Sequence, residues 1–433
     1  LIPAITHIHP RTSSNKYTRD HSSSSYRLHP GTDRHKKTFG SSESTMKAVI
    51  SALGLLAHSC FTNAAYVATI DIASCADLLT AADALSGGDI EANIVEADIA
   101  CDEWTTVEVG QNKIKFVGSG ATFTSARFVV AAGAVLRADV PLVFTGDQTQ
   151  TVNGGLLNVA DGGKARFLDS VAMNNVGVLS VSEEAMVHGG CVYNEGLIRF
   201  EGIFSADGCK TVSSDTASVI PGNGGGLWNG PGGKIVFKEA VEMKNCGERT
   251  GLRNWSSEGL DGGAIYTDGK VSFYEDAQFT DNEADEGGAI CIGVDGELKF
   301  LKRAKVTFTG NNSEGSGGHI NNDGTLVLRN TGVFSDGYAG GSGGAIYAGD
   351  FSSMLFVKHV DFLDNTAGAH GGAIATSYPN IDDLPEDATY EGNSRTNADR
   401  DYECNNVYVN GDAGGGEDGY ICIPGGAGSS YSI

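Results

Sequence analysis

Two stretches of this chain are near copies: FTDNEADEGGAI runs from Phe279 to Ile290 and FLDNTAGAHGGAI from Phe362 to Ile374. Paired glycines followed by an apolar residue recur along the chain, at Gly154, Gly189, Gly225, Gly262, Gly287, Gly317, Gly343 and Gly371. The last five pairs continue Ala-Ile, Ala-Ile, His-Ile, Ala-Ile and Ala-Ile. A motif that returns every 25–37 residues requires a repeat architecture.

Within one repeat, three short strands are legible: about Ala264–Thr267, Lys270–Tyr274 and Ala277–Thr280. Val271 and Phe273 alternate with polar neighbours, as do Leu298 with Phe300 and Leu326 with Leu328. Alternation of period two buries one face of a strand. Three strands in 25–30 residues with no helix between them predict a parallel β-helix. A propeller blade needs more residues, and a leucine-rich repeat needs a different pattern. In this reading Phe279, Phe308, Phe362, Ile290 and Ile374 point into the core. The pairs Gly287-Gly288, Gly317-Gly318 and Gly371-Gly372 allow close backbone approach. Asn282, Asn311 and Asn365 sit at a corner, where the amide bonds backbone and tolerates left-handed dihedrals. About ten coils at roughly 4.8 Å each would give a stack roughly 50 Å long. Its ends need covers. CADLLTAADALSGG reads as a short amphipathic helix over the first coil, with Leu78, Leu79 and Ala82 on one face. Residues 66–105 are thus read as an N-terminal cap, 106–378 as the β-helix and 379–433 as a loop-rich C-terminal cap.

FTDN…GGAI and FLDN…GGAI resemble the FxxN and GGAI/L repeats of the chlamydial polymorphic outer membrane protein family. The resemblance covers roughly Gly154 to Thr376. In the Asn slot this chain has Cys246 after Met243, Asp207 after Phe204 and Gly337 after Phe334. The resemblance implies a right-handed, pectin-lyase-like β-helix displayed at a cell surface. No room is evident for the membrane barrel that ends the family's chains, so a freely secreted protein is expected.

MKAVISALGLLAHSCFTNAA, Met46 to Ala65, has the layout of a secretory signal peptide: a Lys, a short apolar run and small residues. Residues 1–45 are then a disordered or spurious extension. The alternative makes Met46 internal and the run a core helix. No segment is apolar and long enough to span a bilayer. Of nine Cys, eight lie beyond that segment, an even number suited to an oxidising compartment. Proximity suggests Cys75 with Cys101, Cys209 with Cys246 and Cys404 with Cys422. Cys191 and Cys291 are then buried thiols. Asn254 begins the sequon NWS.

The net charge is −24, yet residues 1–47 hold 8 of the 30 basic residues and only 3 of the 54 acidic ones. The remainder carries −29. That field repels nucleic acid and anionic membranes. It suits an extracellular ligand such as a glycan or a surface protein. Many β-helices cleave acidic polysaccharides, but no Gly-His-Gly or Arg-Ile-Lys occurs here. Asp281, Asp336 and Asp364 share a repeat position and would line an acidic ridge. Such a ridge would serve an enzyme as acid and base, or hold calcium, the one cofactor these residues allow. The commoner role of such residues is a solvated corner. The four His beyond residue 65, His188, His319, His359 and His370, share no ligand spacing, and His319 is read as outward-facing. The insert CGERTGLRNWSSEGLD places Arg249, Arg253 and Trp255 on a loop, the strongest binding candidate. The expectation is therefore a secreted, non-enzymatic β-helix for binding, adhesion or structure. The alternative is a polysaccharide lyase or related enzyme acting on acidic glycans.

Overall fold

The computed structural model describes residues 66–146, 149–180, 186–213, 222–247, 260–350, 352–377, 384–396, 405–411, 419–423 and 429–431. The signal-like segment, residues 1–45, Asn254 and Cys404 lie outside the described residues.

Most regular elements are strands of two to five residues that pair in parallel with their counterparts one repeat away; among the described residues the exceptions to parallel pairing are the final strands Gly419–Ile423 and Ser429–Tyr431, which pair antiparallel. The three strands read from one repeat are Ile265–Thr267, Lys270–Phe273 and Ala277–Thr280. Each seeds a long ladder. The Lys270–Phe273 ladder has eleven strands among the described residues, from Ala68–Ile72 to Ser353–Phe356. The other two ladders join at the long strand Ala121–Val130, which pairs with both Leu142–Thr145 and Leu157–Val159. A fourth, minor ladder runs through two-residue strands, Glu283–Ala284 to Ser394–Arg395. The protein is thus an all-β, solenoid-like stack of parallel sheets.

Register explains the core. Because equivalent residues stand opposite one another, like side chains stack. Phe167, Phe200, Phe237, Phe273 and Phe300 form one column, with Phe237 and Phe273 centroids 4.9 Å apart and 9° from parallel. Phe279, Phe308, Phe334, Phe362 and Tyr390 form a second. The spacing is that of neighbouring strands, so one backbone repeat fixes both hydrogen bonding and ring stacking. Ile265, Ile290, Ile320, Ile346 and Ile374 stack in a third column, and none is solvent-exposed.

The first Gly of each pair is left-handed, as at Gly287 (φ 62°). The second is crowded: a Cβ on Gly288 would lie 2.3 Å from the carbonyl oxygen of Gly318 on the next coil. In the triplet at 224–226 it is Gly224, not Gly225, that takes the left-handed place.

The helix predicted near the N-terminus spans Cys75–Ala84. Ser74 caps it: its Oγ accepts from the Asp77 amide, and Asp77 Oδ2 accepts from the Ala73 amide and the Ser74 hydroxyl. Its buried face is Leu78 and Ala81, continued by Leu85, whereas Leu79 is exposed. The stripe runs i, i+3, i+7 and not through Leu79 as the sequence suggested. The polar stretch after residue 378, expected as loop, carries the strand Ala388–Glu391, which pairs with Val360–Leu363.

Candidate functional site: an acidic cleft at a recessed coil

The insert bearing Arg249, Arg253 and Trp255 lies outside the described residues. Asp281, Asp336 and Asp364 share a corner and are exposed, but they do not form an unbroken ridge. Gly310 stands between Asp281 and Asp336. All three Asp are left-handed, with φ of 52°, 56° and 53°, as are Asn175 and Asn245 at equivalent corners. Asn, Asp and Gly fill this column because these residues tolerate that conformation. Backbone geometry accounts for the aspartates.

The repeat Asn are not the left-handed residues. Asn282, Asn311 and Asn365 follow the corner and are fully buried. Asn282 Nδ2 donates to Asn311 Oδ1 (2.8 Å) and to the Met243 carbonyl (3.1 Å), a ladder that satisfies buried backbone. The small residue after each Gly pair faces the Asn slot of its own coil. At Gly337 the Asn is missing, and His319 occupies the vacated space. Its Nδ1 accepts from Asn311 Nδ2 (3.0 Å), and its Nε2–H donates to Asn365 Oδ1 (3.1 Å). His319 is therefore buried, not outward-facing, and burial holds its pKa down at about 3.

The same pair of slots corrects the disulfides. Cys191 takes the small slot and Cys209 the Asn slot, and they are bonded to each other, 18 residues apart. Register places Ala206 opposite Met243, so Cys209, not Asp207, is the Asn-slot residue. Cys246 occupies that slot one coil later, opposite Gly226, which has no sulfur to offer, and it is a buried free thiol. Cys291 is likewise a buried free thiol. Cys75 is bonded to Cys101, fastening the helix to the strand Asp98–Val109.

A cleft of about 420 Å³ opens where none of the candidate site residues lies. Register builds it. Tyr266, Cys291, Asn321 and Tyr347 take the middle place of successive strands, facing away from the core. Cys291 is the smallest of these. At the strand ends Asp268, Gly293, Asp323 and Gly349 follow in turn, and a Cβ on Gly293 would lie 2.0 Å from Asp268 Oδ1. One coil is thus recessed at two places between bulkier neighbours. Asp261 and Glu286, each just before its Gly pair, sit side by side across neighbouring coils. Asp295, Val294 and Pro231 complete the walls.

Crowded carboxylates raise one another's proton affinity. Burial, then the charges of Asp323 and Asp285, lifts Glu286 to about 7. Asp261 is driven well above the usual carboxylate range by burial, then by Glu286. Burial also raises Asp268 and Asp323. Tyr266 donates its hydroxyl to Asp268 Oδ2 (3.0 Å). Asn321 is only 2% exposed; its Nδ2 donates to Glu286 Oε2, while its Oδ1 has no donor at all. Among the described residues, no Lys, Arg or His lines the cleft. Among the described residues, no three His, Cys, Asp or Glu side chains converge to hold a metal ion.

The sequence did carry the signal for this site. Asp261 and Glu286 are one repeat apart, and the Asp/Gly alternation at 268, 293, 323 and 349 follows the same period. No protein-family model, curated protein or solved structure gives a significant match to this chain.

Proposed function

We propose that the chain is a secreted, non-enzymatic binding protein built as a right-handed parallel β-helix of the pectin-lyase type. The hand is that of nearly all parallel crossovers, and the helix Cys75–Ala84 serves as the N-terminal cap. The FxxN and GGAI repeats, which resemble those of the chlamydial surface-protein family, support this reading. The two disulfides support an oxidising, extracellular setting. The carrying observation is the cleft around Asp261, Glu286 and Asp323, lined by carboxylates and, among the described residues, by no basic side chain. Such walls repel acidic glycans, so the ligand is neutral or cationic. Rigid parallel coils hold the walls in place, as a binding site requires.

Incubation of the secreted protein with pectate, alginate and neutral glycans, with and without calcium, tests this. We expect no new reducing or unsaturated ends, and retention of a neutral or cationic member of a glycan and peptide array. Cleavage of an acidic glycan would overturn the reading. One observation favours a carbohydrate-active enzyme instead. Asp261 and Glu286 adjoin on neighbouring coils, each with its proton affinity raised, as carboxylates in acid and base roles often are.

A further inference from the structure

We propose that the cleft binds a primary ammonium group on an aliphatic stem. This rests on the binding reading above and names the chemistry of its ligand. The decisive feature is Asn321. It is buried in the cleft wall with its Nδ2 committed to Glu286 and its Oδ1 unsatisfied. A buried acceptor without a donor is costly, and the protein supplies no donor here. The missing partner must carry N–H or O–H groups. The surroundings select its charge: Asp261, Glu286 and Asp323 face the same space with no counter-cation among the described lining residues. An ammonium group offers three donors and no acceptor. It would bond the amide oxygen and neutralise the carboxylates together.

The carboxylates do not converge tightly enough for a metal ion, and a guanidinium would need a planar pair of acceptors. An ammonium makes longer, less directional contacts. The recess over Cys291 and Gly293 admits a slender chain. Val294, 66% exposed, and Pro231 offer that chain apolar contact.

Titration calorimetry on the secreted chain at pH 8 tests this with three probes. These are 1,5-diaminopentane, an N-terminally capped peptide with one lysine, and the same peptide acetylated on the lysine amine. We expect at least one free-amine probe to bind and the acetylated peptide not to. Binding of the peptide alone assigns a lysine side chain of a protein partner; binding of the diamine as well assigns a free amine. Glu286→Gln and Asn321→Ala should each weaken binding at least tenfold, and Asp336→Asn should leave it unchanged. Melting curves of each variant exclude unfolding as the cause. Silence from both free amines with folded protein, or equal binding of the acetylated peptide, overturns the proposal. Glycan cleavage in the separate panel would instead overturn the binding reading.

Discussion

His319 shows how a single side chain answers a change elsewhere in its coil. Ala is small in this slot because an Asn faces it; with Gly337 opposite, an imidazole fits and bridges Asn311 to Asn365. A proton on that ring would leave one nitrogen without an acceptor in a buried place. The folded protein therefore keeps His319 neutral down to about pH 3, while the unfolded chain takes the proton near the ordinary value of 6.5. The contribution to stability is complete above pH 6.5 and is lost as pH falls from there toward 3, at about 1.4 kcal/mol per pH unit. His319→Ala should cost about 2–4 kcal/mol at pH 7, through the cavity and the stranded amides. Its deficit against the native chain should shrink by about 2–3 kcal/mol at pH 4.5. Denaturant titrations at the two pH values measure both. A deficit independent of pH would show that the ring is not held neutral.

At the scale of the strand and turn, the Gly pair divides into two kinds of constraint. Gly288→Ala pushes a methyl to within 2.3 Å of the next coil's backbone, so the coils must part. We expect a loss of more than about 3 kcal/mol. Gly232 is also left-handed, but a Cβ there would touch nothing within 4 Å. Gly232→Ala should cost only about 1 kcal/mol, the strain of the dihedral. Thermal melts of the pair separate packing from conformation. The disulfides make a second check at this scale. Non-reduced peptide mapping should link Cys191 to Cys209. Cys246, buried and with its thiol pushed up to about 12, should resist alkylation until the chain unfolds. A Cys209–Cys246 peptide would refute the register given above.

These elements also mark how far the sequence could be read. The three strands of the repeat were legible almost to the residue, because inward Val271, Phe273 and Phe279 alternate with polar neighbours. The ladder of Asn was legible because Asn282 and Asn311 recur in phase with the Gly pairs. What escaped was the contact between two slots of one coil that lie 18 residues apart in the chain. Cys191 meets Cys209, and His319 meets the vacancy at Gly337, where the coil closes on itself in a way no linear pattern displays. The cleft escaped for a related reason. Asp261, Glu286, Asn321 and Asp323 come from three coils, and each alone is an ordinary polar residue beside a turn. Only the stacking register brings them together.

Across the whole molecule, the −24 charge is more than a solubility device. Part of it is concentrated where coils place carboxylates in register, and this has a measurable energetic sign. Burial, together with the charges of Asp323 and Asp285, holds the Glu286 pKa at about 7, against 4.5 ordinarily. The folded state thus binds this proton more tightly than the unfolded chain. Its stabilising contribution is full below pH 4.5 and is lost as pH rises through about 7. Glu286→Gln removes the charge that costs stability at high pH. The variant should be more stable than the native chain by about 2 kcal/mol at pH 8, with the advantage gone below pH 5. Denaturant midpoints at pH 8 and pH 5 decide it. The same substitution should weaken capture of an ammonium ligand at least tenfold, so one variant gains stability while losing affinity. A site selected for binding shows that opposition. A cleft of merely solvated carboxylates would show neither the pH-dependent gain nor the loss of ligand.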